Sequence, residues 1–192
     1  MVRVALGVLA GLMIVGAAQA ADPPPGLQDE NVLMPLPKGF KLGDQGRQGA
    51  MDVAEYVPSA ETVNDWSQMI TRQTFHGRAN DDPDGLPQFM AKSWPAACPG
   101  GTAQKLAGAV ENGYRTATWS FRCPTNPQTG KPETMWIKTI GGADALYSVQ
   151  VAWRRAYAED LAAQAAAYLG RVTVCDTRAP THPCPALQPA GR

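Results

Sequence analysis

The sequence predicts an α+β fold, an antiparallel sheet of about six to seven strands with helices packed on it. Three observations carry that reading. Asn112 and Gly113 sit between two strand-like runs in "AQKLAGAVENGYRTATWSFRCP", and this turn pair tolerates positive φ and marks a hairpin. The outgoing arm alternates, with Ala117, Trp119, Phe121 and Cys123 on one face and Thr116, Thr118, Ser120 and Arg122 on the other, as in a sheet with one buried and one wetter side. The alanine-rich "EDLAAQAAAYLG" reads as a helix from Glu159 to Leu169. It starts acidic, stops at Gly170 and offers Leu161, Ala165, Tyr168 and Leu169 as a buried stripe.

The elements follow in order. Met1, Val2 and Arg3 precede an apolar run to Ala18 that closes on Ala18, Gln19 and Ala20, which predicts a signal peptide over 1–20 cleaved after Ala20. The run is short for a spanning helix, and Pro23 to Pro25 cannot extend one, so no membrane span is expected after processing. Residues 21–32 are expected as a flexible leader, 33–170 as a single domain and 171–192 as a disulfide-closed tail. Within the domain, Phe40 to Asp44 and Gly49 to Val57 read as strands around a turn at Gly46, the second ending at Pro58. "SQMITRQTFHG" alternates and predicts a third strand. After the loop "RANDDPDG", apolar spacing predicts a helix from Pro87 to Ser93, stopped by Pro95. Beyond the Asn112–Gly113 hairpin, "TMWIKTIGG" and "ALYSVQVAWRRAY" form a second hairpin around Gly141 to Asp144.

Composition narrows the function classes. The chain carries 17 basic and 17 acidic residues, so charge gives no reason to expect nucleic acid or an anionic membrane as partner. Four cysteines in a chain predicted to be exported imply two disulfides and a periplasmic or secreted location. Of the three pairings, Cys98 with Cys123 and Cys175 with Cys184 are preferred. The first ties a helix end to a strand end, and the second closes "DTRAPTHP". Metal binding by Cys175, His182 and Cys184 lacks the CxxC or HxxxH that would complete four ligands. "NDDPDG" lacks the spacing and terminal glutamate of a calcium loop, and the methionines are dispersed one per element. No cofactor is expected.

No G-x-S-x-G elbow, H-E-x-x-H helix, Walker loop or C-x-x-C pair is present. The best catalytic candidate is His76, with Asp65 or Glu55 as the orienting carboxylate of a small envelope hydrolase. In "FHGR", however, a histidine at a strand exit is ordinary at a wet surface. The favoured expectation is a non-enzymatic module that binds an envelope protein or a small apolar ligand. Its wall would come from Trp119, Trp136, Tyr147 and Trp153, with Arg154 alongside. Trp66 is expected to pin the connection before the third strand to the core.

"LPKGFKLG" followed by "AEYVPSAETVNDWSQMIT" resembles the N-terminal half of small exported bacterial proteins, and the layout from about residue 33 to 170 is similar to the PsbP and Mog1-like sandwich. That resemblance implies a binding or assembly module and transfers no functional residue one by one.

Overall fold

The computed structural model describes residues 27–186, so the predicted signal peptide and residues 187–192 lie outside it. Its elements in chain order are β1 (Glu30–Leu33), β2 (Phe40–Gln48), β3 (Met51–Pro58), β4 (Gln68–His76), α1 (Gly85–Ala97), β5 (Thr102–Glu111), β6 (Tyr114–Cys123), β7 (Glu133–Gly141), β8 (Ala145–Trp153), α2 (Glu159–Leu169) and β9 (Thr173–Asp176). Seven strands form one sheet in the order β2-β3-β4-β8-β7-β6-β5, every neighbour antiparallel, and β1 pairs with β9 in a separate two-stranded ribbon. Two meanders thus meet where β4 joins β8, and the α+β architecture predicted from the alternation is the one observed.

Alternation sorts the side chains into two cores. On one face Ile70, Trp136, Ile140, Tyr147, Val149, Val151 and Trp153 pack beneath Leu161, Ala165, Tyr168 and Leu169 of α2, together with Val174 of β9. On the other, Val57, Met69, Phe121, Met135 and Ile137 pack beneath Leu86, Met90 and Trp94 of α1 and against Trp66 of the connection before β4. Trp66 is buried, so that connection is pinned to the core. The Asn112–Gly113 turn has φ of 47° and 81°, the left-handed geometry that a two-residue hairpin requires.

Two expectations are corrected. The first hairpin turns at Gly49, where φ is 60°, and β2 runs straight through Gly46; glycine composition alone does not fix the register. Helix α1 extends past Ser93 and carries Pro95 in its last turn, where proline interrupts one rung near a natural stop. The described parts of the leader and the tail meet each other. Asn31 pairs with Cys175 and Val32 with Val174, so residues from both ends of the domain complete one ribbon over the α2 side.

Both preferred disulfides are present: Cys98 to Cys123 and Cys175 to Cys184. They fit an oxidising, extracytoplasmic compartment. The second closes a loop of sequence separation 9, worth about 2.5 kcal/mol in the chain-entropy account. Replacing Cys175 and Cys184 together by serine is therefore expected to lower the free energy of urea unfolding by that amount. A loss near zero would mean that β9 and the Arg178 contacts hold the loop unaided.

Candidate functional site

Period 2 decides what meets His76. On β4, Arg72, Thr74 and His76 share a face, and the register Asp52↔Thr74 places Asp52 on that face too. His76 Nε2 lies 2.6 Å from Asp52 Oδ2, and both side chains are 42 % exposed. The His76 hydrogen bond holds the Asp52 carboxyl below its ordinary range, with the charge of Arg47 and, more weakly, of Arg72 adding to the effect.

The two carboxylates expected beside His76 are elsewhere. Glu55 pairs with Thr71 and so occupies the opposite face, where burial first and Asp44 second push its carboxyl up. Asp65 precedes β4 at the end remote from His76, about 25 Å along the strand. Neither can orient His76, and the His76–Asp65 and His76–Glu55 pairs are withdrawn. Sequence reasoning misses Asp52 because the long connection between β3 and β4 does not set their register, and only the register brings position 52 within reach of position 76.

Around this pair β1 crosses the end of the sheet face and leaves a cleft of about 460 Å³. The sheet contributes Asp52, Arg72, Thr74, His76 and Tyr147 to its floor. Most acids at its rim are already engaged. Glu30 accepts the Ala143 and Asp144 N–H groups at 2.7 and 2.9 Å, and Asp144 accepts from Arg178 at 2.8 Å. Burial, then the Glu30 carboxylate, pushes the Tyr147 phenol up, so it stays protonated. Arg72 is half-buried and has neither an ion pair nor a side-chain hydrogen bond among the described residues. No serine or cysteine lines the cleft among the described residues. The floor of the cleft thus sets the His76–Asp52 pair beside Arg72, Thr74 and Tyr147.

The aromatic wall is not assembled. Trp136, Tyr147 and Trp153 are 4 %, 6 % and 6 % exposed and belong to the core beneath α2. Trp119 packs on the other face, its indole N–H donating to Asp84 at 2.9 Å. Alternation separates them, since Trp119 and Trp136 project to opposite sides of the sheet. Only Tyr147 reaches the cleft. Arg154 does not extend a wall either: it stacks on Trp66 at 4.3 Å, donates to Asn64 O at 3.3 Å and stands 3.6 Å from Asp65. It secures the connection before β4.

The other candidate ligands are likewise occupied. Cys175 and Cys184 are bonded to each other. His182, within the loop they close, donates through Nδ1 to Asn112 O at 2.9 Å and stacks on Tyr114 at 4.2 Å. Asp81 pairs with Arg78, Asp82 with Arg115 and Asp84 with Lys105, so the carboxylates of the aspartate loop are engaged by cations of the chain itself.

The Cys175–Cys184 loop is held by charge. Arg178 bonds Asp176 and Asp144 at 2.7 and 2.8 Å, and its guanidinium keeps the Asp176 carboxyl below the usual range. A carboxylate with a depressed folded pKa contributes stability above its unfolded value and loses it as pH falls through the folded one. The loop is therefore expected to stay docked at neutral and mildly acidic pH and to loosen only below about pH 4. Ring resonances of Tyr114 and His182 followed by NMR against pH check this, and loosening well above about pH 4 would remove Asp176 as the controlling group.

No protein-family model and no curated protein matches this chain. Solved structures are similar to it. The PsbP protein of Synechocystis sp. PCC 6803 shares 10 % identity over 83 % of this chain and 98 % of its own, with a TM-score of 0.49. The Ran-binding protein Mog1p of Saccharomyces cerevisiae shares 12 % over 79 % and 98 %, with a TM-score of 0.44. LpqN of Mycobacterium tuberculosis, described as involved in cell envelope biogenesis, shares 14 % over 77 % and 84 %, with a TM-score of 0.39. Likeness at this level assigns no family and transfers no site residue.

Proposed function

We propose that the chain is a non-enzymatic binding module of the periplasm or the secreted milieu, exported through residues 1–20, that takes a small polar ligand in the cleft beside His76. One observation carries the reading: the cleft gathers Arg72, Thr74, His76 and Tyr147 on one sheet face with no serine or cysteine among its described lining residues. Its volume of about 460 Å³ falls within the range of small-molecule sites. A polar ligand replaces the apolar one expected from the sequence, because the aromatic side chains that would have received an apolar body are in the core.

The test is native mass spectrometry of the mature protein after incubation with a metabolite extract. Wild type is expected to retain a small molecule that Thr74→Trp, which fills the cleft from a half-buried position, does not retain. Equal retention by both proteins, or retention by neither, would sink the cleft as the binding site.

A protein partner is the second reading, favoured by a separate observation. Edge strand β5 and helix α1 leave Leu106, Val110 and Phe89 at 48 %, 68 % and 70 % exposure. An open edge with exposed apolar side chains is a template for strand addition.

A further inference from the structure

We infer that the ligand of this cleft is anchored through an oxyanion, a carboxylate or a phosphate, held by the Arg72 guanidinium; the inference rests on the cleft being the binding site. The Arg72 guanidinium is half-buried and makes no contact ion pair among the described residues, Asp52 acting on it only through space, so its direct donors are open to an incoming oxyanion. The chain supplies no contact partner for it among the described residues. The cross-strand neighbours of Arg72 are Ala54 and Val149, whose side chains accept nothing. Of the rim carboxylates, Asp52 is taken by His76, Glu30 by two backbone N–H groups, and Asp144 and Asp29 by Arg178.

The neighbours of Arg72 define the rest of the ligand. Thr74 and His76 follow it on the same face at about 7 Å intervals, so a row of groups able to donate runs along the floor of the cleft. The planar fork of arginine matches a carboxylate or phosphate with two parallel N–H···O bonds. Asp29, Glu30 and Asp144 at the rim disfavour a second negative charge. The fitting class is a small organic molecule with a single oxyanion group, its uncharged remainder carrying hydroxyl or amide groups.

The experiment is NMR titration of the mature protein with benzoate, with inorganic phosphate and with benzamide as the neutral isostere of benzoate. At least one oxyanion is expected to shift the Arg72 Nε–Hε signal and the Thr74 and His76 amides saturably. Arg72→Gln should weaken that binding about tenfold or more, with the remaining spectrum unchanged, and Arg72→Lys should recover part of it. The oxyanion that saturates identifies carboxylate or phosphate as the anchor. Benzamide binding as tightly as benzoate, or Arg72→Gln binding as tightly as wild type, would overturn the anchor while leaving the cleft as a binding site. No cleft shift with any probe would overturn the anchor, and no retained metabolite in the mass-spectrometric test would remove the cleft reading as well.

Discussion

Lys138→Met is expected to destabilise the protein by about 3 kcal/mol in urea unfolding. Lys138 stands in the middle of β7 and its side chain is only 2 % exposed. Its ammonium meets three acceptors: the Glu111 carboxylate, Leu169 O at 3.1 Å and Val172 O at 2.8 Å. The two carbonyls belong to the end of α2 and the turn that follows. That helix has no basic residue in its last turn, and Gly170 stays right-handed with φ of −63°, so a left-handed cap does not close it. A lysine from the sheet does the capping instead. Methionine keeps the aliphatic stem and removes the charge, which takes from Val172 O its donor and leaves Leu169 O with the Val172 N–H alone and the half-buried Glu111 carboxylate with the Thr116 hydroxyl alone.

A double-mutant cycle separates those contributions. Adding Glu111→Gln to Lys138→Met should recover only the carboxylate's share, because the carbonyls of Leu169 and Val172 still lack the ammonium. A loss below about 1 kcal/mol for Lys138→Met would show that water reaches the helix end and replaces the ammonium.

The sheet is legible in the sequence because its signals are local. The Asn112–Gly113 turn fixes its own hairpin, and which side chains of β6 and β8 share a face follows from neighbours two apart, although the face of β6 expected to be wetter is covered too, with Thr116 and Ser120 buried. Leu161, Ala165, Tyr168 and Leu169, the stripe that helical spacing predicts for α2, are buried. The cleft is not legible because it is built from separations of 20 residues and more. Asp52 reaches His76 through the β3–β4 register, and Glu30 reaches the β7–β8 turn only because β1 pairs with β9. Lys138 is hidden for a related reason: a lysine in an alternating strand reads as solvent-facing until a helix terminus is placed over it. The aromatic wall fails on the same ground, since aromatic content says that strands have a buried face and does not say what covers it.

Trp136→Ala is expected to cost about 4 kcal/mol, the range for emptying a large aromatic site in a core. Trp136 meets Trp153 edge-on at a centroid distance of 5.7 Å and lies 6.1 Å from Tyr157, whose ring carries the Arg122 guanidinium at 3.5 Å. Its removal opens a void between β7, β8 and the segment leading into α2, where rigid strands cannot close in. Urea unfolding measures the loss. The same variant decides between two accounts of ligand binding. If the aromatics are core, any ligand retained by wild type is retained by the folded fraction of Trp136→Ala with unchanged affinity, while Thr74→Trp loses the ligand at nearly full stability. Were Trp136 a wall of the site, its variant would lose affinity even under conditions where it is fully folded. The burial of Trp136 and the place of Thr74 on the cleft floor predict the first pattern.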